Sequence, residues 1–160
     1  MDTQVYLNDI WSFYFHDPYD HNWDLKSYKF ICNISNISDF VEIYHIYKEL
    51  FYKGMFFIMR EHVTPRWEDE NNKDGGCFSY KLTKYALEEK FFEICAQILG
   101  ETFGKNNEYI NNINGISISP KKNYYIVRIW IKDNKYASKN NYNFNIPKFS
   151  TLIYKPHNEK

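Results

Sequence analysis

Alternation constrains this chain more than any other feature. In residues 10–16 (IWSFYFH), Trp11, Phe13 and Phe15 fall on one face, the period-two pattern of a half-buried strand. The pattern recurs in 77–83 (CFSYKLT), 114–119 and 124–132, with PKKN joining the last two as a hairpin. Residues 28–32 and 149–155 read as further strands, and 54–61 (GMFFIMRE) as a buried one. Two stretches repeat at three and four instead. Ile37, Phe40, Val41, Tyr44, Tyr47 and Leu50 mark a helix over 37–51, with Asn36 and Asp39 set as a capping box. Leu87, Phe91, Ile94, Cys95, Ile98, Leu99 and Phe103 mark a longer one over 84–103. The order predicts an α+β domain: a curved antiparallel sheet with two helices covering one face.

The 160 residues make one domain, 1–160, without room for a second core. Basic and acidic residues both total 20, which excludes a globally basic, sequence-blind nucleic-acid coat. A mean hydropathy of −0.63 and the lack of any long apolar run exclude a membrane-spanning helix. The start, MDTQVYLND, has no secretory signature, and Cys32, Cys77 and Cys95 form no C-x-x-C pair. The cysteines are read as reduced thiols in the cytoplasm or nucleus, and the expectation for the whole chain is a cytoplasmic monomer. Aromatic residues make up 20% of the chain, and most must fill the core. The Asn, Ile, Lys and Tyr bias suggests an AT-rich genome, which does not account for four tryptophans, at 11, 23, 67 and 130.

HDPYDHNWD gathers His16, Asp17, Asp20, His21 and Asp24, but the histidines stand five apart, unlike helical or knuckle-type zinc ligands. A solvated, turn-rich loop is the simpler reading. The chain contains no G-x-S-x-G, P-loop or G-x-G-x-x-G, so neither an enzyme nor a metal or cofactor protein is expected. Trp23 and Trp67 both lie in polar loops, with little nearby to pack against. They form either a stacking platform for a flat ring or two loop plugs, and loop context alone favours neither. Glu68 beside Trp67 sharpens the first reading. A carboxylate at the rim of an aromatic slot accepts two N–H bonds from a guanine Watson–Crick edge, at roughly 1.5–3 kcal/mol each.

WSFYF, NWDL, ISDF, WEDENNKDGG, ILGETFG and VRIW, in this order and spacing over about residues 7–132, resemble the mRNA cap-binding translation initiation factor 4E family. The resemblance implies a cupped sheet holding the cap on its concave face, with two or three helices on the convex back. It implies that Trp23 and Trp67 sandwich 7-methylguanine, that Glu68 reads its edge, and that Trp130 contacts the N7-methyl group. Methylation makes the base a cation, so indole faces gain cation–π attraction over plain stacking. Lys121 stands at a family phosphate-binding arginine and Lys122 adjoins it. A second phosphate position, a lysine in the family, is Ile126 here, and Arg128, sharing a strand face with Trp130, is expected to replace it. Another family arginine is Cys77. Arg66 and Lys155 are further candidates for a phosphate or the second nucleotide, with His157 and Lys160 near the latter.

Partner docking departs more. Family members bind a Tyr-x-x-x-x-Leu-Φ helix of the scaffold factor 4G, or of repressors, through a His-Pro-Leu segment and a helix tryptophan. Val5, Tyr6, Leu7 and Val41 stand at those places, while Ile37 and Phe92 keep apolar surface. Loss of an indole removes a dominant kind of interface residue, so an altered partner is expected. The resemblance thus implies a non-enzymatic protein recruiting capped mRNA to translation, or a cap-binding repressor or competitor, or an interaction module with an altered slot. Flexible ends are expected at 1–6 and 156–160.

Overall fold

A computed structural model describes residues 5–158. One antiparallel sheet contains β1 (Tyr6–His16), β2 (Lys29–Asn36), β3 (Met55–Arg60), β4 (Gly76–Leu82), β5 (Ile113–Pro120), β6 (Tyr125–Ile131) and β7 (Ile153–Pro156). Their spatial order is β2-β1-β3-β5-β6-β4-β7. Register shifts in the β1–β2 and β5–β6 pairs are of the bulge kind that bends a sheet. Helices α1 (Ile37–Tyr47), α2 (Leu87–Leu99) and the four-residue α3 (Asn107–Ile110) complete the α+β architecture.

The pleat divides the side chains into two populations. On the convex side Trp11, Phe13, Phe56, Ile58, Ile116, Ile118, Val127, Ile129 and Phe78 merge with Phe40 and Tyr44 of α1 and Phe91, Ile94 and Ile98 of α2. This is the main core, and each large side chain buried there is worth roughly 1.5–3 kcal/mol. On the concave side a smaller cluster joins Phe57, Met59, Val63, Cys77 and Trp130.

Local signals account for the element ends. Asn36 caps α1: its Oδ1 accepts from Asp39 N at 2.7 Å and its Nδ2 donates to Asp39 Oδ2 at 2.9 Å. Helix α1 stops at Tyr47, short of the expected 51, and a 3-10 turn at Leu50–Tyr52 follows. Helix α2 is shorter than the expected 84–103 at both ends. Ala86 N donates to Thr83 O in a turn before it, and after it Glu101 takes a left-handed φ of 61°, which no helix continues through. The last strand begins only at Ile153, because Ser150 N closes a turn onto Pro147 O. Of the ends expected to be flexible, Tyr6 lies in β1 opposite Asn36 and Pro156 in β7 opposite Gly76, while His157 N donates to Gly75 O and Asn158 Nδ2 to Lys73 O. Residues 1–4, 159 and 160, with the candidate Lys160, lie outside the described residues.

Arg60 ends β3 and is buried. Its Nη1 donates to Asp9 Oδ2 at 2.9 Å and its Nη2 to Glu101 Oε1 at 2.8 Å and Ile110 O at 3.1 Å. Its Nε donates to Ile113 O at 2.7 Å, and its guanidinium lies 4.5 Å from the Trp11 ring centroid. The ion pair with Glu101 ties the chain just past α2 to the end of β3. Arg60→Met should destabilise the fold by about 3–5 kcal/mol, because it strands buried carboxylate and carbonyl oxygens. Urea unfolding at neutral pH measures this, and a loss below about 1 kcal/mol would contradict the role.

Candidate functional site

The concave face holds a cavity of about 620 Å³. Trp23, Trp67 and Trp130 line it with Tyr28, Phe57 and Cys77, and Lys121, Arg128 and Lys155 line it too. Three separate elements supply the tryptophans, and each holds its ring differently.

Trp130 belongs to β6, is 7% exposed, and donates from Nε1 to Ser117 Oγ at 3.1 Å. Trp23 hangs from the 17–24 loop and is 46% exposed. There Asp17, Asp20 and Asn22 each accept a backbone N–H two residues on, at 2.9 Å, so these side chains shape turns. Below the loop, His16 Nε2 donates to Asn22 O at 2.9 Å and its ring stacks on Trp23, with centroids 4.1 Å apart and planes 4° apart. One indole face is therefore fixed by the end of β1.

Trp67 is 49% exposed, in the loop between β3 and β4. Asp69 organises that loop, accepting from Thr64 N and Oγ1 at 2.8 and 2.6 Å and from Asn71 N at 2.7 Å. The fully buried Asn72 donates from Nδ2 to Arg66 O at 2.8 Å and Thr64 O at 3.1 Å. Asn114 of β5 donates in turn to Asn72 Oδ1 at 2.9 Å and Asn71 O at 2.8 Å, hanging the loop on the sheet.

Glu68 and Arg66 lie outside the cavity lining and pair with each other, Arg66 Nε to Glu68 Oε2, at 3.3 Å. The Glu68 charge still reaches the cavity. Burial first, then Glu68, pushes the Tyr28 hydroxyl up to about 12. Burial holds the His157 imidazole below its ordinary value while Glu68 opposes it. Burial also pushes the Cys77 thiol up, keeping it neutral. Arg128 faces the cavity and donates from Nη1 to Ser119 Oγ at 3.4 Å, whereas Lys122 is outside the lining. Lys155 joins the wall because β7 pairs it with Cys77 of β4.

The sequence reading missed Tyr28, His16 as the backing of Trp23, and the Asn72–Asn114 pair. Strand parity carried a signal for His16, since Ser12, Tyr14 and His16 alternate with the core-facing Trp11, Phe13 and Phe15. Away from the cavity, Val5, Tyr6, Ile37 and Val41 are exposed, while Leu7 and Phe92 pack partly against the main core. Ile37 N donates to Val5 O at 3.1 Å, and Phe92 stacks on Phe40 at 5.3 Å.

Burial alone would raise the Asp69 pKa, but its hydrogen bonds outweigh burial and hold it below the ordinary value. Its stabilisation is therefore present at neutral pH and is lost as pH falls below about 4. Asp69→Asn should lower the melting temperature at pH 7 by a few degrees and flatten the pH dependence below about 5, as thermal melts across pH 3–7 would show. An unchanged acid dependence would contradict the role of Asp69.

The 4E-family sequence profile, described as eukaryotic initiation factor 4E, matches residues 6–160. The initiation factor 4E of Candida albicans is 28% identical over 139 residues, covering 79% of this chain and 64% of that protein. A 4E homolog of Acanthamoeba polyphaga mimivirus is 27% identical over 139 residues, covering 73% and 51%. The chain thus spans between half and two thirds of the length of these relatives. Among solved structures, the complex of C. elegans eIF4E-3 with the 4E-binding protein Mextli and cap analog superposes with a TM-score of 0.79 at 20% identity, covering 97% of this chain and 94% of that one. Ascaris suum eIF4E-3 with m7G cap gives 0.78 at 19% identity, covering 99% and 94%. With the profile spanning all but the first five residues, this chain belongs to the eukaryotic initiation factor 4E family.

Proposed function

We propose that this chain is a non-catalytic protein that binds the 7-methylguanosine cap of mRNA and recruits the message to translation initiation in the cytoplasm. The observation that carries the reading is the pair of half-exposed indoles, Trp23 and Trp67, which come from separate polar loops and line one cavity with Trp130. A loop plug would be covered. In this reading the methylated base enters between the two rings, at about 1–3 kcal/mol of stacking per face plus a cation–π contribution. Glu68 turns from Arg66 to accept the guanine N1 and N2 donors, and Trp130 meets the methyl group. Arg128 and Lys121 take the phosphates. Lys155 adds a third cation at the wall, and Lys122 and Arg66 are further cations for the phosphates.

The partner in this reading is an amphipathic helix of a 4G-like scaffold or a repressor, laid on Tyr6, Leu7, Ile37, Val41 and Phe92. The 4E-binding protein in the C. elegans complex supports a protein partner of this type. A second reading, a cap-binding repressor or competitor, draws on the exposed Val41 in place of an indole. Pull-down with 4G-type and repressor-type peptides separates the two.

Titration with 7-methyl-GTP should quench tryptophan fluorescence saturably, at micromolar concentration, while GTP should require at least about tenfold more. Absence of quenching by either would overturn the reading. Trp23→Ala and Trp67→Ala should each abolish the quenching response to ligand while shifting the thermal melt little. A variant that instead unfolds would identify that ring as a plug. Arg128→Ala should weaken 7-methyl-GTP binding by about threefold to tenfold and 7-methyl-GMP binding less. Equal losses for both nucleotides would remove the phosphate role from Arg128.

A further inference from the structure

Beyond the cavity, the concave face continues toward the β5–β6 hairpin. Three cross-strand rows can be followed from the tryptophan end. The first is Gly115–Trp130–Cys77, the second Ser117–Arg128–Ser79, and the third Ser119–Ile126–Lys81. A ligand whose base lies near Trp130 and whose phosphates meet Arg128 therefore arrives at the third row next. There β6 presents an uncharged isoleucine, but its β4 neighbour is Lys81. Lys81 and Arg128 are diagonal neighbours on one face, a separation of about 7–8 Å between backbones that a lysine stem easily spans.

Lys81 is exposed, and its Nζ rests 4.3 Å from the centroid of the half-buried Tyr124 ring. Tyr124 sits in the hairpin turn, where Lys121 N donates to Tyr124 O at 2.9 Å, so its backbone is tied to the cavity-lining Lys121. The backbone of Lys81 is held too, its N–H donating to Ser150 Oγ at 2.8 Å. An aromatic ring, an exposed ammonium beside it and a track of cations leading to them have the chemistry to bind one more nucleotide: a flat base and a phosphate.

We propose that Lys81 and Tyr124 form a subsite for the first nucleotide after the cap triphosphate, the ring stacking with its base and the ammonium pairing with its 3′ phosphate. The inference rests on the cap-binding reading and extends it from a nucleotide to an RNA. It requires capped RNA to bind more tightly than the bare cap.

The test compares 7-methyl-GTP with a capped RNA pentanucleotide on the wild type and on Lys81→Met, Tyr124→Ala and the conservative Lys81→Arg and Tyr124→Phe. The wild type should bind the pentanucleotide at least about fivefold more tightly than 7-methyl-GTP. Lys81→Met and Tyr124→Ala should each remove most of that advantage while leaving 7-methyl-GTP within about twofold, and the conservative variants should keep it. For Lys81→Met, the salt dependence of pentanucleotide binding should also be shallower by about 0.7 in log–log slope. No wild-type advantage, no effect of either variant, or an equal loss for both ligands would overturn the subsite. If the wild type fails to bind 7-methyl-GTP itself, the cap-binding reading falls, which is a separate outcome.

Discussion

The buried guanidinium of Arg60 is the constraint on which much of this fold depends. An arginine cannot shed its charge, so once β3 carries it inside, the surrounding chain has to supply acceptors. Those come from four places: Asp9 at the start of β1, Glu101 just past α2, Ile110 at the end of α3 and Ile113 at the start of β5. Segments far apart in sequence are thereby drawn to one point. The loop bearing Trp67 starts immediately after Arg60, with Glu61 N donating to Ile10 O and Val63 N to Arg60 O. Asn114, one residue beyond Ile113, suspends the same loop. Core and recognition site thus share an anchor.

The walls of the slot differ in how they are held. His16 backs Trp23 from behind, so that ring keeps its orientation without a ligand. Trp67 relies on a network of amides and one carboxylate around its own backbone. Both loops are thus ordered by contacts made within the fold. Glu68 is held differently, through its 3.3 Å contact with Arg66.

Alternation and helical period made the elements legible in the sequence, and with them the α+β class. The capping box at Asn36 could be read because it is local, two side chains three residues apart. Helix α3 was invisible, since four residues are too short to display a period. The early stop of α2 could not be read either, because Glu101 is an ordinary residue for a helix and gives no sign of the left-handed turn it takes. At the site, Trp23 and Trp67 stood out because large apolar rings are anomalous in polar loops. Tyr28 and Asn114 did not, because their roles arise only when the sheet brings separate strands together.

The division of the sheet into two faces also bears on how such a protein can change over time. Along β6, Val127, Ile129 and Ile131 belong to the main core, while Ile126, Arg128 and Trp130 look into the concavity. Substitutions at one parity alter what is recognised and leave the core packing alone, and those at the other do the reverse. A lineage can therefore move a cation from one strand to its neighbour without first acquiring surplus stability. Ile126 and Lys81 stand opposite each other on that variable face, one uncharged and one charged, with no core residue between them.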